Sequence, residues 1–346
     1  MKVGIVGASG YVGQELLRIL LDHPKVQVTK ITSRQLAGQK IAALYRNFMG
    51  RTELCFSEKI EKEDLKDLDF VFLALPHGVA SHWVTEDVLS QVKVIDIGAD
   101  FRIKDQATYE AWYQTKHGSQ DLLKEAVYGL TEWNQEAIQG AKLLSNPGCY
   151  PTASAMAANP LLKEGLIQGE TIILDAKSGV SGAGRGASQG VHYAEVNENF
   201  KAYGVATHRH TPEIEQTLSH AAGESITLNF TPHLLPMSRG ILVTMYASLK
   251  EGVTKIQVDQ AFQTAYKNKP FVRIMPEGAL PETKWVKGSN FCDLAWRVDQ
   301  RTNRVIVVSC IDNLIKGAAG QAIQNMNLMA GWSEELGLLS VGQFPG

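Results

Sequence analysis

The first half of the chain alternates short apolar runs rich in Val and Ile with stretches whose apolar residues recur at helical spacing. Such runs are typical of strands buried in a parallel sheet, and the stretches between them are typical of helices that cover it. Between the first two runs, apolar residues from Val12 to Leu21 predict a helix, which His23 and Pro24 close. The predicted strands are residues 3–6, 26–32, 70–75, 94–97 and 143–146.

After residue 148 the hydrophobic pattern changes. A predicted helix at about 151–163 leads to a strand and then to a glycine- and serine-rich loop at 178–186. The polar stretch 299–304 is typical of a hairpin connection, so a mostly antiparallel sheet is the simplest account. A last helix at about 317–330 has apolar and small residues that can pack back on the first domain. The predicted strands are residues 172–176, 225–235, 241–249, 271–275, 291–298 and 305–311.

The length of 346 residues suits two domains of ordinary size. We predict an α/β protein in which residues 1–148 and 313–346 form a Rossmann-type dinucleotide-binding domain. Residues 149–312 are predicted to form a second, α+β domain that carries the catalytic groups. Because parallel sheets bind ligands at the carboxyl ends of their strands, we expect the active site where the strand at 143–146 ends and the second domain begins.

The charge balance excludes some classes of partner. Lys and Arg number 34 and Asp and Glu number 36, a net charge of −2 without a basic stripe, which argues against nucleic acid. No apolar run approaches the ~18 residues of a membrane span, and the first residues do not have the pattern of a signal peptide. The four scattered cysteines lack the close spacing of a metal site. We expect a soluble, cytoplasmic protein with reduced thiols and no metal.

Cys149 is the most informative residue of the chain. It lies two residues before Pro151, and proline is tolerated just inside a helix start, so the thiol is expected at or just before a helix N-terminus. There the unpaired amide groups of a helix favour thiolate, the nucleophilic form of cysteine. The alternative is a small buried apolar residue, which is the commoner role of a lone cysteine.

A glycine-rich turn follows the first predicted strand directly and precedes a helix. Glycine permits a tight turn and close approach of the backbone to a pyrophosphate, and a helix N-terminus supplies amide donors. The spacing G-x-x-G-x-x-G departs from the commonest fingerprint, so a turn that serves only packing remains the alternative. The turn comprises Gly7, Ala8, Ser9, Gly10, Tyr11, Val12 and Gly13.

The end of the second predicted strand bears on the choice of nucleotide. An acidic residue there favours NAD, whereas a basic or hydroxyl residue favours the phosphate of NADP. The chain has Ser33 and Arg34 at this point and no carboxylate, so NADP(H) is the expected cofactor. The alternative for Arg34 is a solvated surface charge.

His208 and His210 are the candidate acid–base groups. Thr211 is expected to cap a helix that begins at Pro212, so both imidazoles would lie in a loop just outside a helix. A cysteine nucleophile usually needs a partner that manages protons, and histidine is the commonest. Glu213 is close enough in sequence to orient one ring, and for each histidine a structural role is the alternative.

Three arginines lie in glycine-rich or turn-like contexts: Arg102, Arg185 and Arg239. A guanidinium group can bind a carboxylate or a phosphate at two points. Each alone suits a surface charge, but together with a nucleotide fold they suggest an anionic substrate.

The assembled motifs resemble the N-acetyl-gamma-glutamyl-phosphate reductases of arginine biosynthesis, a family grouped with the aspartate-semialdehyde dehydrogenases. The resemblance covers nearly the whole chain, and its most specific parts are Pro147-Gly148-Cys149-Tyr150-Pro151-Thr152 and His208-Arg209-His210. The motifs lie at 7–13, 74–78, 98–102, 147–152, 178–185, 208–214 and 312–317.

This resemblance implies NADPH-dependent reduction of an acyl phosphate to an aldehyde through a thioester. Cys149 would be the nucleophile and His208 the acid–base group, with His210 in reserve and Asn146 or backbone amides holding the oxyanion. The second domain would also mediate dimerisation, and a homodimer or homotetramer is expected. Arg102 would bind the leaving phosphate, and the weaker candidates for substrate binding are Arg185, Glu213 and Arg239. Besides the glycine turn, Ser33 and Arg34, the candidate cofactor contacts are Pro76, Ser178, Gly182 and Asn313.

Other functions stay open at this point. Aspartyl phosphate or a carrier-bound acyl phosphate could replace the acetylated substrate. A non-catalytic NADP-binding regulator would have no use for the cysteine–histidine pair, and a thiol acyl hydrolase would leave the nucleotide turn unexplained.

Overall fold

The structure, a computed structural model, describes residues 1–345. It divides into two compact units, the first formed by Met1–Pro147 and Ala318–Leu339. The second is formed by Gly148–Gly317 and the described residues after Leu339. Within the described chain, no helix is both long enough and apolar enough to cross a membrane.

The first unit contains a seven-stranded sheet in the order β3-β2-β1-β4-β5-β7-β6, and every pairing is parallel. All five strands predicted for this half are present, and two short strands at the sheet edges are additional. Its strands are β1 (Lys2–Val6), β2 (Gln27–Thr32), β3 (Phe56–Ser57), β4 (Phe70–Leu73), β5 (Lys93–Asp96), β6 (Val127–Tyr128) and β7 (Leu143–Ser145).

Helices connect these strands, as a parallel sheet requires. The first helix buries Leu16, Leu17 and Leu20 at helical spacing, and its N-cap position is Gly10. The parallel sheet and the first β-α-β unit are therefore confirmed. The helices of this segment are α1 (Tyr11–Leu20), α2 (Ile41–Leu44), α3 (Lys62–Leu65), α4 (Ala80–Trp83), α5 (Glu86–Gln91), α6 (Gln106–Tyr113), α7 (Gln120–Glu125) and α8 (Thr131–Gln139).

The second unit contains another seven-stranded sheet, in the order β12-β13-β14-β11-β8-β10-β9. Four of its strand pairings are antiparallel and two are parallel. The sheet is therefore mixed, and the prediction that it is mostly antiparallel is confirmed. The strands are β8 (Ile173–Gly179), β9 (Lys201–Ala202), β10 (Asn229–Leu235), β11 (Ile241–Ser248), β12 (Val272–Ile274), β13 (Cys292–Asp299) and β14 (Arg304–Ile311).

Helices pack on one face of this sheet. The most buried of them contacts β11, β13 and β14 as well as two other helices. On the opposite face, alternate residues of the central strands are only half buried, among them Thr244 and Tyr246 of β11 and Ile306 of β14. The helices of the second unit are α9 (Cys149–Lys163), α10 (Tyr193–Val196), α11 (Thr211–Ala222), α12 (Lys255–Tyr266) and α13 (Thr283–Val286).

Three predicted boundaries were wrong. Helix α9 begins at Cys149 rather than near Pro151, because Gly148 takes the extended N-cap conformation and a proline fits anywhere in a first turn. Helix α11 already includes Thr211, and His210 occupies the N-cap position. Strand β10 starts at Asn229 rather than at residue 225, so the preceding apolar residues form buried loop instead of sheet.

The chain ends with a helix that returns to the first unit, α14 (Gly320–Met329), preceded by a π-helical turn at Ile315–Ala319. All ten residues of α14 are buried, and the helix packs on α1 and α8, as the pattern predicts. Two of its buried amides are hydrogen-bonded far along the chain: Asn325 Nδ2 donates to the carbonyl of Gly129 at 2.7 Å, and Asn327 Oδ1 lies 3.0 Å from His23 Nε2. These bonds offset the cost of burying polar groups.

Candidate active site

Cys149 is the first residue of α9, and its side chain is partly exposed. The preceding residue, Gly148, accepts hydrogen bonds at its carbonyl from both the main-chain amide and the hydroxyl of Thr152, each at 2.9 Å. The helix therefore starts sharply at the cysteine. The N–H groups of a first helical turn have no partner inside the helix, and together with the helix dipole they stabilise an anion there.

Glu213 anchors the residue before the cysteine. Its carboxylate, on the first turn of α11, is fully buried and accepts a hydrogen bond of 2.8 Å from the amide of Gly148. The predicted roles of Glu213 in orienting a ring or binding substrate stay predictions. The structure shows in addition that Glu213 is hydrogen-bonded to the backbone directly before the thiol-bearing residue.

The two histidines pack beside the start of α9. The ring of Tyr150, next to Cys149 in the chain, meets both imidazoles nearly edge-on, with centroid distances of 5.6 Å to His208 and 6.0 Å to His210. The two imidazole centroids are 4.9 Å apart. The helix start and the histidine loop are therefore neighbours in the same unit.

His208 is held neutral and in one orientation. Burial lowers its pKa to about 4, and the positive charge of Arg209 acts in the same direction. The main-chain N–H of His210 donates to His208 Nδ1 at 3.1 Å, so the neutral ring has its proton on Nε2. His208 therefore offers a hydrogen-bond donor rather than a positive charge.

Tyr203 is a site residue that the sequence did not reveal. Its ring lies 5.4 Å from that of His208, and its hydroxyl donates to the hydroxyl of Tyr150 at 3.2 Å. Burial raises the pKa of Tyr203 to about 12, and the negative charge of an ionised Cys149 adds to the rise. Tyr203 follows β9, a strand of only two residues, so no periodic sequence pattern could have identified it. Tyr203 thus links the surroundings of the thiol and of His208.

Arg102 and Asn146 are joined within the first unit. Arg102 is buried and donates from Nε to the carbonyl of Asn146 at 2.8 Å and from Nη2 to the carbonyl of Ile97 at 2.7 Å. Asn146 is fully buried as well; its Nδ2 donates to the carbonyl of Ala318 at 3.2 Å and its Oδ1 accepts from Asn325 at 3.1 Å. These bonds favour scaffolding roles, and the predicted contacts to phosphate and oxyanion stay predictions.

The other two arginines differ in exposure. Arg239 is partly buried, with Nη1 at 3.7 Å from the fully buried carboxylate of Asp312. Burial raises the pKa of Asp312, while hydrogen bonds from main-chain amides and the charge of Arg239 favour its ionised form. Arg185 is exposed in the glycine-rich loop.

Three predicted cofactor residues lie together in the second unit. The side chain of Asn313 accepts from the amide of Gly240 at 2.8 Å and donates to the hydroxyl of Ser181 at 3.0 Å. A Cβ built on Gly182 would lie 3.3 Å from Ser178 Oγ and 3.7 Å from Asn313 Nδ2. Asn313 therefore shapes the loop that contains Gly182.

The glycine turn of the first unit has the geometry that a dinucleotide requires. Gly7 has a φ of +82°, and a Cβ there would lie 2.3 Å from the carbonyl oxygen of Ala74. A Cβ on Gly13 would lie 2.5 Å from the carbonyl oxygen of Gly7. Gly10, the N-cap of α1, donates to the carbonyl of Gly7 at 3.1 Å. Only glycine fits at 7 and 13, and the tight turn presents the start of α1, so the residues fit a pyrophosphate.

The surroundings of this turn also agree with NADP. The hydroxyls of Ser9 and Ser33 are hydrogen-bonded at 3.0 Å, and Arg34, the second residue after β2, is exposed. Tyr11 is exposed and Val12 partly so, at the start of α1.

Asp100, which the sequence reading did not single out, orders the loop after the exposed Pro76. Its buried carboxylate accepts from the amides of Gly78 at 2.6 Å and Ser81 at 2.9 Å. In the sequence, the only mark of this role is the place of Asp100 in the motif at 98–102, between Gly98 and Arg102. Among residues 1–345 no cluster of three His, Cys, Asp or Glu is arranged to hold a metal.

Two family models match the chain. The model described as semialdehyde dehydrogenase, NAD binding domain, matches residues 2–141, and the model described as semialdehyde dehydrogenase, dimerisation domain, matches residues 149–313. The two matches together span most of the chain.

Curated proteins are similar to this chain in sequence, and solved structures are similar to it in fold. The N-acetyl-gamma-glutamyl-phosphate reductase of Lachnoclostridium phytofermentans is 53% identical over 346 residues, which is 100% of both chains. The aspartate semialdehyde dehydrogenase II of Vibrio cholerae superposes with a TM-score of 0.71 at 17% identity, covering 95% of this chain and 98% of that one. The aspartate semialdehyde dehydrogenase of Candida albicans, solved with NADP, gives 0.68 at 15% identity, covering 97% and 99%.

Proposed function

Because the chain belongs to the semialdehyde dehydrogenase family, among its N-acetyl-gamma-glutamyl-phosphate reductases, we propose that it catalyses a reduction in arginine biosynthesis. N-acetyl-gamma-glutamyl phosphate is reduced by NADPH to N-acetylglutamate semialdehyde, and inorganic phosphate is released. The observation that carries the proposal is the full-length identity of 53% to a reductase of that name. It is supported by Cys149 at a helix start whose next residue, Tyr150, packs against His208.

The chain would hold NADPH through residues that fit it. The turn Gly7–Gly13 would bind the pyrophosphate, and Ser33 and Arg34 would bind the phosphate on the ribose. Ser178, Gly182 and Asn313 are the proposed contacts from the second unit. The bound cofactor supplies a hydride to a carbonyl carbon.

Cys149 performs the covalent step. Its thiolate attacks the carbonyl carbon of the acyl phosphate, a C–S bond forms, and the C–O bond to phosphate breaks. The phosphate leaves with the bonding electron pair and takes one proton from solvent. The acyl group remains on the sulfur as a thioester, which accepts hydride more readily than a carboxylate does.

His208 stabilises the negative charge that develops on the substrate oxygen. Its Nε2–H is the donor, because Nδ1 already accepts from His210. Reduction of the thioester gives a thiohemiacetal oxyanion, which the Nε2–H stabilises as a hydrogen-bond donor until the oxyanion collapses and the C–S bond breaks. The aldehyde leaves, and the sulfur keeps the electron pair as thiolate.

Backbone amides at the start of α9 are the proposed second source of oxyanion stabilisation. Arg239 and Arg185 are the proposed partners of the substrate's anionic groups, with Arg102 as a further candidate. Glu213, a carboxylate, would be limited to accepting hydrogen bonds from the substrate. The carboxylate of Asp312, 3.7 Å from Arg239 Nη1, restrains the position of that guanidinium.

The experiment is NADPH oxidation, measured by loss of absorbance at the nicotinamide band. We expect turnover with N-acetyl-gamma-glutamyl phosphate, little with aspartyl phosphate or a carrier-linked acyl phosphate, and none without an acyl phosphate. Cys149→Ser should abolish turnover while NADPH still binds. A preference for aspartyl phosphate would overturn the substrate assignment, and undiminished turnover by the serine variant would overturn the nucleophile.

We also propose that the protein works in the cytoplasm as a homodimer or homotetramer. Four cysteines present as thiols suit a reducing compartment. The half-buried sheet face around Tyr246 and Ile306, in a segment that matches a dimerisation domain, suits contact with a second copy.

A further inference from the structure

Gly317 packs directly against the nucleophilic residue. A Cβ built on Gly317 would lie 2.7 Å from Cys149 Cβ and 3.1 Å from Cys149 Cα. Contacts of ordinary Cβ atoms begin at 3.4 Å, so any side chain at position 317 would have to displace the cysteine or its own backbone. Both atoms belong to the same compact unit.

The turn that brings Gly317 to this place is fixed by Asp312. The amide of Gly317 donates to the carbonyl of Asp312 at 3.0 Å, within the segment that leads into the π-helical turn at Ile315–Ala319. The buried carboxylate of Asp312 accepts from the amides of Leu314 at 2.8 Å and Ile315 at 3.1 Å. A turn held at both ends in this way leaves Gly317 little room to yield. Single π-helical turns of this kind occur often at functional sites.

The carboxylate of Asp312 also contacts residues outside this turn. Asp312 accepts from the amide of Gly288 at 2.7 Å and faces Arg239 at 3.7 Å. On the other side of the cysteine, Glu213 holds the amide of Gly148. The backbone of Cys149 is therefore restrained by a hydrogen bond at the preceding residue and by steric contact with Gly317.

We infer that Gly317 is a positioning residue for the nucleophile: its missing side chain leaves the space that Cys149 needs at the start of α9. The inference deepens the proposed function and rests on it for its effect on turnover. A Cβ would shift the sulfur-bearing residue by about 1 Å, and a misplacement of that size can lower a rate about a hundredfold.

The test compares Gly317→Ala with Gly140→Ala. Gly140 is the C-cap of α8 and has an ordinary backbone conformation, and a Cβ there meets nothing within 4 Å. For Gly317→Ala we expect kcat to fall at least about tenfold, with NADPH affinity within about twofold of wild type. The control variant should match wild type in both. A Gly317→Ala enzyme with wild-type kcat would overturn the inference.

A second readout needs no substrate. The rate of iodoacetamide reaction at Cys149, followed by peptide mass spectrometry because Cys55 is also exposed, should change in Gly317→Ala and not in Gly140→Ala. Unchanged alkylation would overturn the inference. If wild-type protein reduces none of the acyl phosphates, the proposed function fails, whereas the alkylation rates still decide the role of Gly317.

A double-mutant cycle guards against a variant that merely folds poorly. Cys149→Gly removes the Cβ that a new side chain at 317 would meet. We expect the loss of melting temperature caused by Gly317→Ala to be much smaller in the Cys149→Gly background than in the wild-type background. Equal losses in the two backgrounds would mean that the two residues are not in steric contact, and the inference would be wrong.

Discussion

The amide of Gly148 and the buried carboxylate of Glu213 are joined by a hydrogen bond of 2.8 Å. This bond ties the first turn of α11, which follows the histidine loop, to the residue just before Cys149. Leaving a buried amide without its acceptor costs about 1–3 kcal/mol of folding free energy, so this hydrogen bond stabilises the fold as well as orienting the two helix starts. It fixes the proposed nucleophile relative to the candidate acid–base group.

Glu213→Ala should therefore lower kcat about tenfold or more, because the start of α9 loses its anchor and the cysteine loses its orientation. Glu213→Gln retains an oxygen acceptor for the Gly148 amide and should be closer to wild type. Steady-state kinetics with the acyl phosphate measure both effects.

Glu215→Gln is the control, since Glu215 lies on the same helix and accepts from the amide of Leu228 at 3.2 Å instead. If Glu213 binds substrate, Glu213→Ala will raise KM and leave kcat nearly unchanged. That split would contradict the anchoring role.

The protonation of His208 predicts the acid side of the pH profile. Burial and the neighbouring Arg209 lower its pKa to about 4, so the ring stays neutral through the usual assay range. If the neutral ring is the active form, kcat/KM should stay level as the pH falls to about 5 and then decrease. Arg209→Gln removes a positive charge, and the decrease should then begin at a higher pH.

Lys267→Gln, the loss of an exposed charge just after α12, controls for net charge and should leave the profile unchanged. A wild-type profile with a midpoint near 6.5 that moves with substitutions of His208 would contradict this assignment.

The same shift affects stability. The folded pKa of His208 is about 4, below its ordinary value of 6.5, so the unfolded chain binds a proton first as the pH falls. The folded state should lose stability between about pH 6.5 and pH 4 on this account. In His208→Gln, thermal unfolding at pH 7 and pH 5 should differ less than in wild type. An unchanged difference would contradict the shift.

The periodic parts of the molecule could be predicted from sequence, whereas its short and non-local parts could not. The apolar runs predict β1, β4 and β5 and the amphipathic helix α1 with boundaries close to those found, because burial on a sheet or helix face imposes a period. The edge strands β3, β6 and β9 have two residues each, too few to show any period.

The candidate site shows the same division. Cys149, His208 and the glycine turn could be singled out because short motifs carry their chemistry in local sequence. The partners of Arg102 and Asn146, the ring of Tyr203 and the contact between Gly317 and Cys149 depend on residues far apart in the chain. No local pattern encodes which distant carbonyl a guanidinium will meet.

Arg34 tests the choice between NADPH and NADH. It is exposed two residues after the end of β2, where a ribose phosphate would lie. Arg34→Ala should raise KM for NADPH about tenfold and change kcat/KM for NADH by less than about twofold, because only NADPH carries the phosphate. Arg46→Ala removes another exposed arginine of the same unit and should change neither value. Equal effects on the two cofactors would contradict the role of Arg34.

The open face of the second sheet predicts how oligomers form. Tyr246 and Ile306 are direct partners in the β11–β14 register, and both point away from the helices. A carboxylate buried between two copies without a partner would be strongly unfavourable, so Tyr246→Asp and Ile306→Asp should reduce the mass of the particle in light scattering.

Ile256→Asp is the control, because Ile256 is exposed on α12, on the helical side of the sheet. Symmetric oligomers place the same residues of both copies at the interface, so one substitution introduces at least two charges there. If both sheet-face variants keep the wild-type mass, the copies must associate through another surface.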